Sequence, residues 1–159
     1  MSVRARFAFR DLARGVIVTS ALPSPKSPTL PSMPALSPIV AIVDDEPSLR
    51  TALGRLLRTH GYTVASFESG EAFLVVPASS YACIVLDLNM ARTGGLDVLK
   101  ALADRVKCPP VIVLTGHDQP GIAEQVAQLG ACAYLTKPVE EVALLQAIES
   151  AIKSKPRPA

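Results

Sequence analysis

From residue 37 onward, apolar runs recur along the chain and each hands over to polar residues with chemistry. Ile39-Val40-Ala41-Ile42-Val43 leads into Asp44, Asp45 and Glu46, and Tyr81-Ala82-Cys83-Ile84-Val85-Leu86 leads into Asp87. Pro110-Val111-Ile112-Val113-Leu114 delivers Thr115, and Ala131-Cys132-Ala133-Tyr134-Leu135-Thr136 delivers Lys137-Pro138. Runs this short and this continuously apolar predict strands buried on both faces, as parallel strands are. Tyr62 to Phe67 reads as a further short strand.

Between the strands the apolar spacing changes to that of helices. Leu49, Leu53, Leu56 and Leu57 follow Pro47, a favoured first-turn residue, and Gly61 closes that helix. Gly70 to Val76 predicts a short helix, and Leu96, Leu99 and Leu102 a third after Gly94-Gly95. Ile122, Val126 and Leu129 mark a fourth, stopped by Gly130. The last runs from about Val139 to Ile152, with Leu145, Ile148 and Ile152 on one face. Five strands alternating with five helices predict an α/β fold. Its parallel sheet is covered on both faces and joined by right-handed crossovers, in the doubly wound, flavodoxin-like order 2-1-3-4-5.

Composition changes this picture mainly at the ends. The chain has 159 residues, enough for one domain with a real core, and no apolar stretch approaches membrane-spanning length. Residues 1–36 hold Arg4, Arg6, Arg10, Arg14 and Lys26 against Asp11, while Pro23 to Pro38 alternates proline with Ser and Thr. A disordered basic, Pro/Ser-rich tail is expected there, with the domain at 37–153 and a short tail at 154–159. The Arg-rich start superficially resembles a targeting peptide, yet its apolar stretch is short and interrupted. Met33 is an alternative initiator. Beyond residue 36 the chain carries 11 basic and 13 acidic residues, which offers no case for direct nucleic-acid binding. Cys83, Cys108 and Cys132 have no metal-type spacing, and Cys83 and Cys132 are expected as small buried hydrophobes in a reducing cytoplasm.

The strand ends carry the chemistry. Strands of an open parallel sheet deliver their carboxyl ends to one rim, where such folds keep their ligands. Asp44, Asp45 and Asp87 are hard oxygen donors suited to Mg²⁺, and three packed carboxylates need a cation to remain ionised together. An Asp-Asp pair after a strand can also be a solvated turn. With Asp87, Thr115 and Lys137 ending three other strands, a site is the better account.

Val43-Asp44-Asp45-Glu46, Asp87-Leu88-Asn89-Met90 with Gly94-Gly95-Leu96, Leu114-Thr115-Gly116-His117, Gly130-Ala131 and Tyr134-Leu135-Thr136-Lys137-Pro138 together resemble the receiver domain of bacterial two-component response regulators. Leu-Thr-Gly-His and Glu71-Ala72-Phe73-Leu74 resemble the nitrogen-fixation regulator branch. The resemblance implies Asp87 as phosphoacceptor, with Asp44, Asp45, Asp87 and the Asn89 main-chain carbonyl as Mg²⁺ ligands. It implies Thr115 and Lys137 as partners of the phosphoryl group, Tyr134 as a switch aromatic, and a cis Lys137-Pro138 bond. The implied function is phosphorelay signalling rather than enzymology. The partners would be a sensor histidine kinase or phosphotransfer protein and a downstream protein bound through residues 119–152. Because only a short tail follows Lys153, action as a stand-alone regulator is expected. Ala91 departs from the family's usual Pro, which should loosen its loop. His60 reads as a helix cap and His117 as an exposed loop residue. A haloacid-dehalogenase-type hydrolase, the competing class, wants a second acid where this chain has Asn89. A phosphorylation-free adaptor would be expected to lack one of the acids, the Thr or the Lys, and none is missing.

Overall fold

The computed structural model describes residues 36–154, and the expected N-terminal and C-terminal tails, apart from Ser154 and residue 36, lie outside the described residues. Five parallel strands form one sheet: β1 (Ile39–Val43), β2 (Thr63–Phe67), β3 (Cys83–Asp87), β4 (Val111–Thr115) and β5 (Ala131–Thr136). Their order is β2-β1-β3-β4-β5, as the alternation predicts. The helices are α1 (Pro47–Thr59), α2 (Gly70–Leu74), α3 (Gly95–Ala103), α4 (Ile122–Gln128) and α5 (Glu141–Ser154).

Side-chain alternation across the sheet divides the core in two. Ala41, Val43, Ile84, Leu86 and Val113 face one way, onto Phe73, Val98, Leu99 and Leu102. Val40, Ile42, Val85, Ile112 and Leu114 face the other, onto Leu53, Leu57, Leu144 and Ile148. Phe73 anchors the first layer, with its ring 5.2 Å from that of Phe67 in an edge-to-face arrangement. Glu46 precedes Pro47 at the start of α1, and Ser69 caps α2 by accepting the Ala72 N–H at 3.1 Å. His60 does end α1, its Nδ1 lying 2.9 Å from the Leu56 carbonyl.

Burial on both faces holds for β3 and β4 throughout, and for β1 after its first residue. It fails for β2 and β5, which are the sheet edges. Cys132 is therefore exposed and Cys83 buried, a correction to the expectation for the pair. Element ends also shift. The third strand starts at Cys83 rather than Tyr81, preceded by a 3₁₀ turn at Ala78–Ser80, and α2 stops at Leu74 rather than Val76. The last helix begins at Glu141 rather than Val139, with the Glu140 carbonyl accepting the Leu144 N–H at 3.0 Å.

Candidate functional site

The register of β1 against β3 pairs Val43 with Leu86, so the next residues, Asp44 and Asp87, emerge side by side at the carboxyl rim. Both are buried, at 1% and 2% exposure, whereas Asp45 turns outward. One carboxylate oxygen from each of the three lies within 4.8 Å of the others. Lys137 reaches the same point from the end of β5, aided by a main-chain bond from its N–H to the Thr115 carbonyl at 2.7 Å. Its Nζ donates to Asp44 Oδ2 at 3.2 Å and stands 3.3 Å from Asp87 Oδ1. The Lys137-Pro138 peptide is cis, as the resemblance implies.

Main-chain donors fix the acids further. Asp44 Oδ1 accepts the Glu46 N–H at 2.8 Å, Asp87 Oδ1 accepts the Asn89 N–H at 3.1 Å, and Asp45 Oδ2 accepts the Ala91 N–H at 2.9 Å. Every buried side-chain polar atom among the described residues has a partner. The remaining imbalance is of charge: three carboxylates converge on one ammonium. Burial pushes the Asp87 carboxyl above its ordinary range and Asp44 adds to the rise, while the Asn89 N–H and Lys137 oppose it. Burial leads that rise, and crowding by Asp44 comes after it. Burial draws Lys137 down, yet the charges and hydrogen bonds of Asp87 and Asp44 together leave it above its ordinary value.

This donor set fits a small hard dication. All candidate ligands are oxygens, they are held by N–H groups as metal carboxylates usually are, and they carry more negative charge than Lys137 offsets.

Thr115 is buried at the end of β4. Its Oγ1 lies 3.0 Å from Asn89 Oδ1 and 2.9 Å from the His117 carbonyl, and it also accepts the His117 N–H at 3.2 Å. One hydroxyl hydrogen can satisfy only one of the two oxygens at a time. A cleft of about 320 Å³ opens beside it, lined by Asn89, Asp97, Lys100 and His117. Tyr134, on the adjacent strand, is half-buried and donates its hydroxyl to Asp118 Oδ1 at 2.9 Å. Its side chain thus points out over the loop after β4.

Asp44, Asp45, Asp87, Asn89, Thr115, Tyr134 and Lys137 all lie at or beside this rim. Others were missed. Arg50, on the first turn of α1, donates from Nη1 to the Asp44 carbonyl at 2.6 Å. Its place six residues after Asp44 and one turn into a helix was the available signal. The side-chain role of Asn89 and the tie to Asp118 had none, since both depend on how loops meet.

A family model described as the response regulator receiver domain matches residues 40–149. The chain is 34% identical over 115 residues to the transcriptional regulatory protein FixJ of Bradyrhizobium diazoefficiens, covering 72% of this chain and 56% of that protein. It is 37% identical over 120 residues to the response regulator protein TmoT of Ectopseudomonas mendocina, covering 75% and 54%. The chain thus spans about half the length of the curated relatives it matches. Among solved structures, FixJ-N superposes with a TM-score of 0.69 at 32% identity, over 78% of this chain and 100% of that one. The chemotaxis protein CheY4 of Vibrio cholerae gives 0.65 at 27% identity, over 72% and 98%. No helix among the described residues is long and apolar enough to cross a membrane. With the motifs, the strand order, the rim of acids and a match over most of the domain in agreement, the chain belongs to the receiver-domain family of two-component response regulators.

Proposed function

We propose that this receiver accepts a phosphoryl group on Asp87 and uses it to switch a partner-binding face. The observation that carries the reading is the position of the Asp87 carboxylate: buried at a strand end, 3.3 Å from Lys137 and grouped with Asp44 and Asp45. Receiver domains act in phosphorelays and take their phosphoryl groups from histidine kinases. The donor is therefore a sensor kinase or a phosphotransfer protein. An oxygen of the Asp87 carboxylate attacks phosphorus, the phosphorus–nitrogen bond of the donor imidazole breaks, and the imidazole nitrogen keeps the electron pair and takes up a proton. The product is an acyl phosphate on Asp87.

The chain supplies positioning and charge, which phosphoryl transfer chiefly requires. Asn89 N–H holds one Asp87 oxygen and leaves the other to attack. Lys137 is placed to neutralise the phosphoryl oxygens, and Thr115 to donate its hydroxyl to one of them. Asp44, Asp45, Asp87 and the Asn89 main-chain carbonyl are the residues that would hold Mg²⁺. When bound, that ion offsets the negative charge that the donor brings into an already acidic pocket.

Switching follows from the contest for Thr115. New phosphoryl oxygens draw its hydroxyl from Asn89 and His117, and the loop carrying His117 and Asp118 follows. Tyr134 then loses Asp118 and turns inward, which alters the surface of residues 119–152. The two packings must differ by only a few kcal/mol for one covalent group to invert them. Incubation with a small-molecule phosphodonor and Mg²⁺, followed by intact mass, should show one added phosphoryl group. Asp87→Asn should show none. Addition to Asp87→Asn at the normal rate would overturn the assignment.

A further inference from the structure

The loop between β3 and α3 is fastened at three points, and one involves an atom that proline lacks. Ala91 stands where the resemblance calls for Pro, and its N–H donates to Asp45 Oδ2 at 2.9 Å, a bond bridging 46 residues of sequence. Two residues later, Thr93 gives both its N–H and its hydroxyl to Glu71 Oε1 on α2. Gly95 then presses onto the strand end, where a Cβ would stand 2.3 Å from the Asp87 carbonyl and 2.6 Å from Leu88 Cα. Between the first two anchors Arg92 is left-handed, with φ of 66°. For a residue other than Gly that backbone is disfavoured, and the anchors on either side hold it in place.

Asp45 is the exposed member of the three acids, the one that packing alone does not fix. An N–H on Oδ2 restricts the rotation of this carboxylate while one of its oxygens lies within 4.8 Å of those of Asp44 and Asp87. We propose that the Ala91 main-chain N–H is a positioning group for Asp45. It ties the loop to this acid through a bond that proline cannot donate, so that the β3–α3 loop becomes ordered together with divalent-cation binding. The inference rests on the reading that Asp45 helps to hold Mg²⁺. Linkage makes the effect reciprocal: whatever steadies the loop tightens the ion, and the ion steadies the loop by the same factor. Groups that orient metal ligands typically change affinity by 10–100-fold, and exposure of Asp45 places this one at about tenfold.

The test combines Mg²⁺ calorimetry with amide hydrogen exchange on the whole chain. In the wild type, exchange at Ala91 and Thr93 should slow as Mg²⁺ is added, with a midpoint at the calorimetric Kd. Ala91→Ser keeps the N–H and should retain both properties. Ala91→Pro should bind Mg²⁺ about tenfold more weakly, and Thr93 should lose its Mg²⁺-dependent protection. An unchanged Kd in a folded Ala91→Pro overturns the inference. So does wild-type exchange at Ala91 that ignores bound Mg²⁺, a result that does not depend on how the proline variant folds. Absence of any Mg²⁺ binding by the wild type would instead overturn the reading of the acid cluster beneath it.

Discussion

Replacing Lys137 with Met retains most of the side chain's length and removes its charge, leaving Asp44 and Asp87 buried without their ammonium. At 3.2 and 3.3 Å, each pairing amounts to about 5 kcal/mol with an effective dielectric of about 20. The cost of desolvating the ammonium offsets much of that sum, although its side chain retains 20% exposure. Removing one partner of a buried pair typically costs about 3–5 kcal/mol, and the residual exposure places this variant near 3. With an unfolding entropy of about 0.25 kcal/mol/K for a domain of this size, Tm should fall by about 12 °C at pH 8 in the presence of a chelator.

The pH dependence has a definite sign. Asp87 already has a raised folded pKa, so protonating it favours the folded state, and losing Lys137, which opposes the rise, pushes it higher. The deficit of the variant is therefore full above the folded pKa of Asp87 and shrinks as pH falls through it toward the unfolded value. Lys137 itself has a raised folded pKa, so its stabilisation is complete below its unfolded pKa and is lost as pH rises through the folded one, in the alkaline range. Saturating Mg²⁺ at pH 8 supplies the missing positive charge and should recover most of the loss. Thermal melts followed by circular dichroism over a series of pH values from 8 downward, with and without Mg²⁺, read all these arms. A loss below about 1 kcal/mol at pH 8, or one that does not shrink at any lower pH down to acid unfolding, would refute the reasoning.

Four further outcomes are expected. Asp87→Asn should raise the Tm of the metal-free domain at pH 8, because an amide needs neither the proton nor the counter-charge that burial makes the carboxylate require; a lower Tm would contradict it. Gly95→Ala forces a methyl against the Asp87–Leu88 backbone and should destabilise by about 1–3 kcal/mol in urea titrations while slowing phosphorylation, since Asp87 must move. Phe73→Ala removes the largest fully buried ring and should cost about 3–5 kcal/mol, again by urea, leaving the metal site's affinity intact if the domain remains folded. Asn89→Ala frees the Thr115 hydroxyl from one competitor, and NMR shifts at Tyr134 should move partway toward those of the phosphorylated wild type.

The parts of the fold that could be read from sequence are those where one physical requirement dominates. Continuous apolar runs demand burial on both faces, and β3 and β4 comply in full. The same reading failed at Cys132 because β5 is an edge strand with no neighbour on one side, and its register slips there, pairing Val111 with Ala131 and Ile112 with Ala133, features set by strand order and not by the run itself. Asp44, Asp87, Thr115 and Lys137 were legible because strand ends must share a rim. Arg50, Asp118 and the Ala91 N–H were not, because loop residues meet through the geometry of turns, which carries no periodic signature.

The reach of Lys137 also sets a timetable. Its ammonium leaves the edge strand β5, passes β4 and β3, and closes on Asp44 at the end of β1, 93 residues earlier in the chain. A nascent chain therefore presents its acids long before the lysine that balances them has been made. Until β5 docks, the carboxylates at the ends of β1 and β3 lack the ammonium that balances them. On the reading that Asp87 accepts the phosphoryl group, a domain competent for the signal is one whose last strand is already in place.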